Sequence, residues 1–319
     1  MKTIGVLTSG GDAPGMNAAV RAVVRTAIDA GMTVKGIIRG YNGLIEGDII
    51  DMDVRSVSEI INRGGTALFS ARSPKFKTEE GVNAAIKNCK KHGIEGIVVI
   101  GGDGSFRGAR DLSLRGIPCV GIPGTIDNDI SSTDYSLGFD TAMNTVMEVV
   151  DKLRDTSQSH DRCSVVEVMG RHAGHLALQC GIAVGASVIV VPEIEITTEE
   201  IIERIKNSQK NGKKHFIVMV AEGVGGVEEL AKKIQEETGV ESRATILGHI
   251  QRGGNPTVRD RLRATQFGFA AVKLLEQGIG NRVVAIKNND IVDYDIYEAL
   301  NMVKPFDKEL YEIANITSI

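Results

Sequence analysis

Residues 118–129 read Pro-Cys-Val-Gly-Ile-Pro-Gly-Thr-Ile-Asp-Asn-Asp, an apolar run that ends in a turn bearing two carboxylates. The run 118–122 has the length and content of a buried strand. Asp127 and Asp129 then stand on a tight loop at the carboxyl end of that strand, where open α/β sheets hold ligands. The same arrangement occurs twice upstream. The run Gly96-Ile97-Val98-Val99-Ile100 leads into Gly101-Gly102-Asp103-Gly104-Ser105, and Ile4-Gly5-Val6-Leu7 leads toward Gly10-Gly11-Asp12. Three glycine- or proline-rich turns with acids, each at a strand end, predict a site for phosphates and a divalent cation.

Short Val- and Ile-rich runs recur near 3–7, 33–38, 96–100, 118–122, 164–168, 187–191, 215–221, 243–247 and 282–286. Amphipathic helical patterns lie between them. Phe139, Ala142, Met143, Val146, Val149, Val150 and Leu153 keep helical spacing, as do Met16, Val20, Val23, Val24 and Ala27. Strand–helix alternation predicts an α/β fold with mainly parallel sheets covered on both faces, in Rossmann-like three-layer form. A length of 319 residues allows two domains. The helix starting near Phe139 reads as the crossing into the second domain, and the segments 262–275 and 282–286 as the return to the first. The expected division is 1–138 plus 251–302, and 139–250 plus 303–319.

Composition narrows the function. Hydrophobic residues make up 42% and charged residues 24%, with a net charge of −4. No overall basic field would draw in nucleic acid. No apolar run approaches the roughly 20 residues of a membrane span, and the N-terminus does not read as a signal peptide. Cys89, Cys119, Cys163 and Cys180 are scattered without metal or redox spacing. They read as reduced packing residues, which suits a cytoplasmic protein.

The turns carry the chemistry. Glycine leaves backbone N–H groups uncovered for a phosphate, and the helix beginning near Met16 adds its positive N-terminal end. Neither a Walker A sequence nor a G-x-G-x-x-G occurs, which argues against a P-loop kinase and a dinucleotide fold. Asp103 reads as a Mg²⁺ ligand beside phosphates; Ser105 is then left to cap the following helix. On the 123–129 loop, phosphoryl transfer to a hydroxyl needs one carboxylate to take the proton and others to position the cation. Arg72, Arg162, Arg171, Arg243 and Arg252 fall in loops or near strand ends. As bidentate phosphate clamps, they point to a phosphorylated substrate. His172 and His175 lack a third ligand with metal-like spacing, which argues against zinc. Arg21 and Arg25, one helical turn apart, read by spacing as a solvated face.

Taken together, these motifs closely resemble the bacterial ATP-dependent 6-phosphofructokinase family, over essentially the whole chain. The segments that carry the likeness are Gly-Val-Leu-Thr-Ser-Gly-Gly-Asp at 5–12, Gly-Gly-Asp-Gly-Ser at 101–105, Pro-Gly-Thr-Ile-Asp-Asn-Asp at 123–129, Met-Gly-Arg at 169–171 and Gly-His-Ile-Gln-Arg-Gly-Gly at 248–254. The resemblance implies the phosphofructokinase fold, with an ATP-binding first domain and a sugar-phosphate-binding second domain. It implies transfer of the ATP γ-phosphoryl group to the 1-hydroxyl of fructose 6-phosphate, a step of glycolysis. It makes Asp127 the base, has Asp103 hold Mg²⁺ and has Asp129 help place it. Gly11, Tyr41, Arg72, Ser73, Gly102, Asp103, Gly104 and Ser105 would contact ATP. Thr125, Ile126, Asp127, Met169, Gly170, Arg171, Glu222, His249, Ile250, Gln251 and Arg252 would contact the sugar phosphate. Arg162 and Arg243 would arrive from a neighbouring subunit of a homotetramer. Arg72 and Arg171 would offset charge on the moving phosphoryl group. Gly104 and Gly124 stand where pyrophosphate-dependent relatives carry an acid and a lysine, which favours ATP over pyrophosphate. Intact Asp103, Asp127, Asp129 and Arg171 argue against a catalytically dead sensor. The lack of a polybasic stretch argues against a lipid kinase.

The family's effector pocket, which takes nucleoside diphosphates or phosphoenolpyruvate between subunits, is matched by Arg21, Arg25, Arg154, Lys213, Lys214 and His215. Ala22, Val23, Val24, Gly185 and Ala186 fall in the same segments. That likeness changes the reading of the Arg21/Arg25 pair. Three positions depart from it. Ser187 replaces an acid that holds the effector's cation, Asn211 replaces a basic residue, and Val54 stands where some relatives have arginine. The departures predict weakened allosteric control.

Overall fold

The computed structural model describes residues 1–318, which fall into two compact units. Unit 1 comprises Met1–Thr125, Ile130–Thr141 and Arg252–Lys304; unit 2 comprises Ile126–Asp129, Ala142–Gln251 and the described residues from Pro305 on. The 123–129 loop is therefore divided, its first three residues grouping with unit 1 and Ile126–Asp129 with unit 2.

The strands are β1 (Thr3–Thr8), β2 (Thr33–Ile37), β3 (Ile49–Met52), β4 (Gly96–Gly101), β5 (Cys119–Pro123), β6 (Cys163–Val168), β7 (Val188–Val190), β8 (Phe216–Ala221), β9 (Ser242–Ile246), β10 (Arg282–Lys287) and β11 (Asp290–Asp295). The α-helices are α1 (Met16–Asp29), α2 (Tyr41–Glu46), α3 (Glu79–Lys91), α4 (Asp103–Ser113), α5 (Phe139–Ser159), α6 (His175–Ala183), α7 (Thr198–Lys210), α8 (Val227–Thr238), α9 (Val258–Glu276), α10 (Ile296–Asn301) and α11 (Lys308–Thr317).

Unit 1 is built on a seven-stranded sheet in the order β11-β10-β5-β4-β1-β2-β3. Its inner five strands are parallel, and β3 and β11 pair antiparallel at the two edges. Helices α1 and α9 pack together over one face, while α2, α3, α4 and α10 bury the other. Strand β4 is buried along its whole length, as is β5. That is why both read as continuous apolar runs. The edge strands β3 and β11 were not among the expected strands. Each is half-exposed and interleaves aspartates with its apolar residues, so neither shows a buried run.

Unit 2 holds a four-stranded parallel sheet in the order β7-β8-β6-β9. Helices α7 and α8 cover one side with a core of Val165, Val218, Val220, Ile205 and Ile234. Helix α7 opens with a capping box, Thr197 and Glu200 each bonding the other's backbone N–H. On the other side α6 packs against β7, β8 and α11.

In unit 1 a buried carboxylate sets the start of α5. Asp260, on α9, accepts hydrogen bonds from the Tyr135 hydroxyl (2.5 Å), Gly138 N–H (2.7 Å), Thr141 N–H (3.0 Å) and the Thr141 hydroxyl (2.5 Å). Four donors compensate for taking the group out of water. All four cysteines are buried free thiols. Burial pushes Cys89 and Cys163 up to about 12, and Cys119 and Cys180 higher still. They pack as neutral side chains. Among the described residues, no helix is long and apolar enough to cross a membrane.

Candidate active site

The sheet order places β1, β4 and β5 side by side, so three turns leave adjacent carboxyl ends in unit 1. From β1 the chain proceeds outward through β2 and β3, and from β4 it proceeds the opposite way through β5. The site therefore lies at a topological switch point. Backbone bonds tie the turns together: Ser9 N–H to the Ile100 carbonyl and Gly124 N–H to the Gly101 carbonyl, both 2.9 Å. A Cβ on Gly101 would come within 2.5 Å of the Ser9 carbonyl oxygen, so only glycine lets the first two turns abut. Gly15, at φ 99°, takes the left-handed conformation that starts α1.

Helix α4 begins at Asp103 with Gly102 as its N-cap, and no side chain caps it. This corrects the expected role of Ser105, which is buried in the first turn with its N–H on the Gly102 carbonyl. The free N–H groups of the α4 N-terminus form a ready anion site. Asp103 projects from that turn, partly exposed, 3.6 Å from the Arg107 guanidinium. Around Gly104, a Cβ would meet nothing within 4 Å. Tyr41 lies beneath the turn. Its hydroxyl donates to the Ser105 carbonyl at 2.5 Å, its ring stacks on Phe76 at 4.1 Å, and burial holds the phenol well above its ordinary pKa. It braces α4 from the core side.

Arg72 is exposed, with Ser73 half-buried beside it. The Ser73 hydroxyl accepts from Phe76 N–H at 3.3 Å. Arg252 lies against the first turn: its guanidinium packs on Gly11, where a Cβ would overlap it, and stands 3.9 Å from Asp12. Unit 1 thus brings together Gly11, the 102–105 turn, Gly124, Thr125 and Arg252. The Thr125 carbonyl accepts from the Ser136 hydroxyl at 2.7 Å.

Unit 2 gathers the other set. Asp127 is only 8% exposed, between buried Ile126 and Asn128, and Asn128 has φ 51°. After β6 the chain turns sharply at Gly170 (φ 140°) and Arg171 (φ 60°). Glu222, just past β8, accepts from Arg171 N–H at 2.5 Å and fixes that turn. Gln251 is fully buried. It accepts from Met169 N–H at 3.1 Å and donates to the Gly248 carbonyl at 3.0 Å. It therefore orders the Met169 backbone, while His249 and Ile250 on the same helical turn are exposed.

Glu241 was not singled out by the sequence reading. Its carboxylate lies 2.8 Å from Arg162 and accepts from Arg243 at 3.0 and 2.7 Å. The Arg162 and Arg243 guanidiniums hold it below the usual carboxylate range. The available signal was its place two residues before Arg243 at a strand start, where alternate side chains share a face.

The effector-type residues also fall in both units. Arg21 and Arg25 are half-buried on α1, not fully solvated, beside buried Ala22, Val23 and Val24. Partial burial, then the Arg25 charge, pushes Arg21 down. In unit 2, Arg154 donates to the Val184 carbonyl; Gly185 (φ 58°) and Ala186 follow. Burial, then the Arg154 charge, pushes Lys213 down. Ser187 keeps a buried hydroxyl with no hydrogen-bond partner among the described residues. Asn211 ends α7 and is exposed, as is Lys214; His215 is half-buried.

Three abutting turns at a switch point, with a helix N-terminus and a partly exposed acid at the middle one, define unit 1 as an open α/β sheet of the ligand-binding class. The chain belongs to the phosphofructokinase family, whose model matches residues 3–275. It is 58% identical over 319 residues to the ATP-dependent 6-phosphofructokinase of Clostridioides difficile (strain 630), covering all of both chains. It is 58% identical over 318 residues to that of Clostridium botulinum (strain Loch Maree / Type A3), again end to end. The solved phosphofructokinase from Saccharomyces cerevisiae is similar at 35% identity and TM-score 0.88, over 99% of this chain and 47% of the yeast chain.

Proposed function

We propose a division of labour for this ATP-dependent 6-phosphofructokinase in which unit 1 binds ATP and unit 2 binds fructose 6-phosphate. The observation that carries the reading is the set of three abutting turns on β1, β4 and β5, with the α4 N-terminus pointing out of the middle one. The triphosphate lies along Gly11 and the 102–105 turn, where unblocked N–H groups receive it. Asp103 suits Mg²⁺: it is a hard oxygen donor, partly exposed, with room for the waters and phosphate oxygens this ion keeps. When bound beside Asp103, Mg²⁺ would offset the negative charge of the phosphates.

On the acceptor side, Arg171, Met169, Gly170, Glu222, His249 and Arg252 orient the sugar phosphate. Asp127 accepts the proton of the 1-hydroxyl as that oxygen bonds to the γ-phosphorus. The bond from γ-phosphorus to the bridging oxygen breaks, and ADP leaves with the electron pair. Arg72 and Arg171 offset the charge that spreads over the transferring group. Arg162 and Arg243, gathered by Glu241, serve the site of a neighbouring subunit in a tetramer.

The test is ADP release from Mg-ATP with fructose 6-phosphate, beside pyrophosphate as donor. Turnover with ATP and none with pyrophosphate is the expected result. Turnover only with pyrophosphate, or with neither donor, would sink the reading.

Regulation is proposed to be weakened. Arg154 and Lys213, two half-buried cations close enough for the Arg154 charge to act on Lys213, suit an anion. Ser187 offers a neutral hydroxyl where an acid would hold the effector's cation. Allosteric couplings are typically about 5–150-fold; here phosphoenolpyruvate and Mg-ADP are expected to shift the half-saturating fructose 6-phosphate concentration by less than about fivefold. Ser187→Glu is expected to enlarge the ADP shift. A wild-type shift of tens of fold would refute this proposal.

A further inference from the structure

Asn17 lies in the first turn of α1, only 3% exposed, among apolar neighbours. Asparagine is a poor helix former and a costly residue to bury. Its amide is nevertheless fully used, and always on one loop. Nδ2 donates to the Arg63 carbonyl (3.0 Å) and the Gly64 carbonyl (3.2 Å), and Oδ1 accepts from Ala67 N–H (2.6 Å). Both donors and the acceptor are engaged, across some fifty residues of sequence. The same loop presses on the segment after Arg252: a Cβ on Gly64 would overlap the Gly254 carbonyl. Two further bonds hold its far end, Arg39 N–H to the Leu68 carbonyl (2.8 Å) and the Thr8 hydroxyl to the Phe69 carbonyl (2.7 Å). Three residues beyond Phe69 comes Arg72. At a reach of about 3.3–3.6 Å per residue, the pinned loop closely limits where Arg72 can stand.

We infer that Asn17 is a positioning residue for phosphoryl transfer, holding the 63–67 loop so that Arg72 keeps its place. The inference rests on the proposed role of Arg72 at the transferring group. It predicts a defect in turnover, not in sugar-phosphate binding, because Asn17 bonds only the loop that leads to Arg72 and none of the residues proposed to orient the sugar phosphate. Misplacement of a catalytic group by about 1 Å can cost 10²-fold.

The experiment compares Asn17→Ala, Gly64→Ala, Arg72→Ala and the Asn17→Ala/Arg72→Ala double variant. Each is followed by thermal melting and by kcat and KM for both substrates. Asn17→Ala is expected to lower kcat about 10- to 100-fold, with KM for fructose 6-phosphate changed less than about threefold. The double variant is expected to be no slower than Arg72→Ala, because a residue acting through Arg72 has nothing left to act on. Gly64→Ala leaves the helix core intact and loosens the loop from its other side. It is expected to show the same kcat defect, and it decides the matter if Asn17→Ala does not melt cooperatively. An unimpaired Asn17→Ala beside an impaired Arg72→Ala, or a double variant slowed by the product of the two losses, overturns the inference alone. An Arg72→Ala of unchanged kcat overturns the role of Arg72 and this inference with it.

Discussion

Replacing Asp127 by serine is expected to lower kcat by about 10²–10⁴-fold, the range for loss of a positioned general base. KM for both substrates should change little, since the proton transfer belongs to the transition state and not to ground-state binding. Stability is the necessary control. Asp127 is a buried acid on a loop carried by β5, so a folding role has to be separated from a chemical one. Asp127→Asn keeps the volume and the hydrogen-bonding shape while removing the proton acceptor. Both variants should melt close to wild type and both should be slow. A folded variant that retains kcat within tenfold would remove Asp127 from the base role.

The second large effect concerns donor choice. Gly104 stands in the first turn of α4 with open space where a side chain would go, and without a left-handed φ. The Cβ of an aspartate there meets nothing within 4 Å. It should stabilise the helix: replacing glycine is worth roughly 0.5–1 kcal/mol, and an acid at the helix N-terminus about 0.3–1 kcal/mol more. If the nucleotide passes over this turn, the same carboxylate faces its phosphates. Two unit charges 4 Å apart at an effective dielectric of about 20 repel by about 4 kcal/mol. At tenfold per 1.36 kcal/mol, kcat/KM for ATP should fall about 10³-fold. The expected signature of Gly104→Asp is therefore a higher melting temperature with a crippled ATP reaction. Unchanged kcat/KM for ATP would mean that Gly104 is an ordinary helix residue. Gly124→Lys is a less clean probe, because its Cβ would sit 2.9 Å from the Met16 methyl.

These expectations draw on features of different origin. The glycine turns and their acids were legible because each is local. A strand buried on both faces is a continuous apolar run, and a phosphate turn needs glycine within a few residues of it. The same locality made α1 and α5 readable from their apolar stripes. Edge strands β3 and β11 were not readable, since one side of each faces no partner strand and their aspartates break the apolar pattern. The cap of α4 was misread because Asp103 and Ser105 both have capping chemistry, and only the backbone path shows that Gly102 takes the position. Gln251 stands in the 248–254 motif and Tyr41 outside all of the motifs, and each makes a buried hydrogen bond that braces a neighbouring backbone.

The chain's own residues were enough for the α/β class, the three glycine- or proline-rich turns, the acids on them and the membership of the family, because each depends on residues adjacent in the chain or on helical or strand periodicity. Folding alone shows which turns adjoin, that Glu241 gathers Arg162 and Arg243, that Asp260 anchors the start of α5 and that Asn17 holds the loop before Arg72. Those are contacts between residues up to more than a hundred positions apart. A polar side chain such as Asn17 or Asp260 carries no local signal of which distant donor or acceptor will satisfy it, because the partner is selected only when packing excludes water from both.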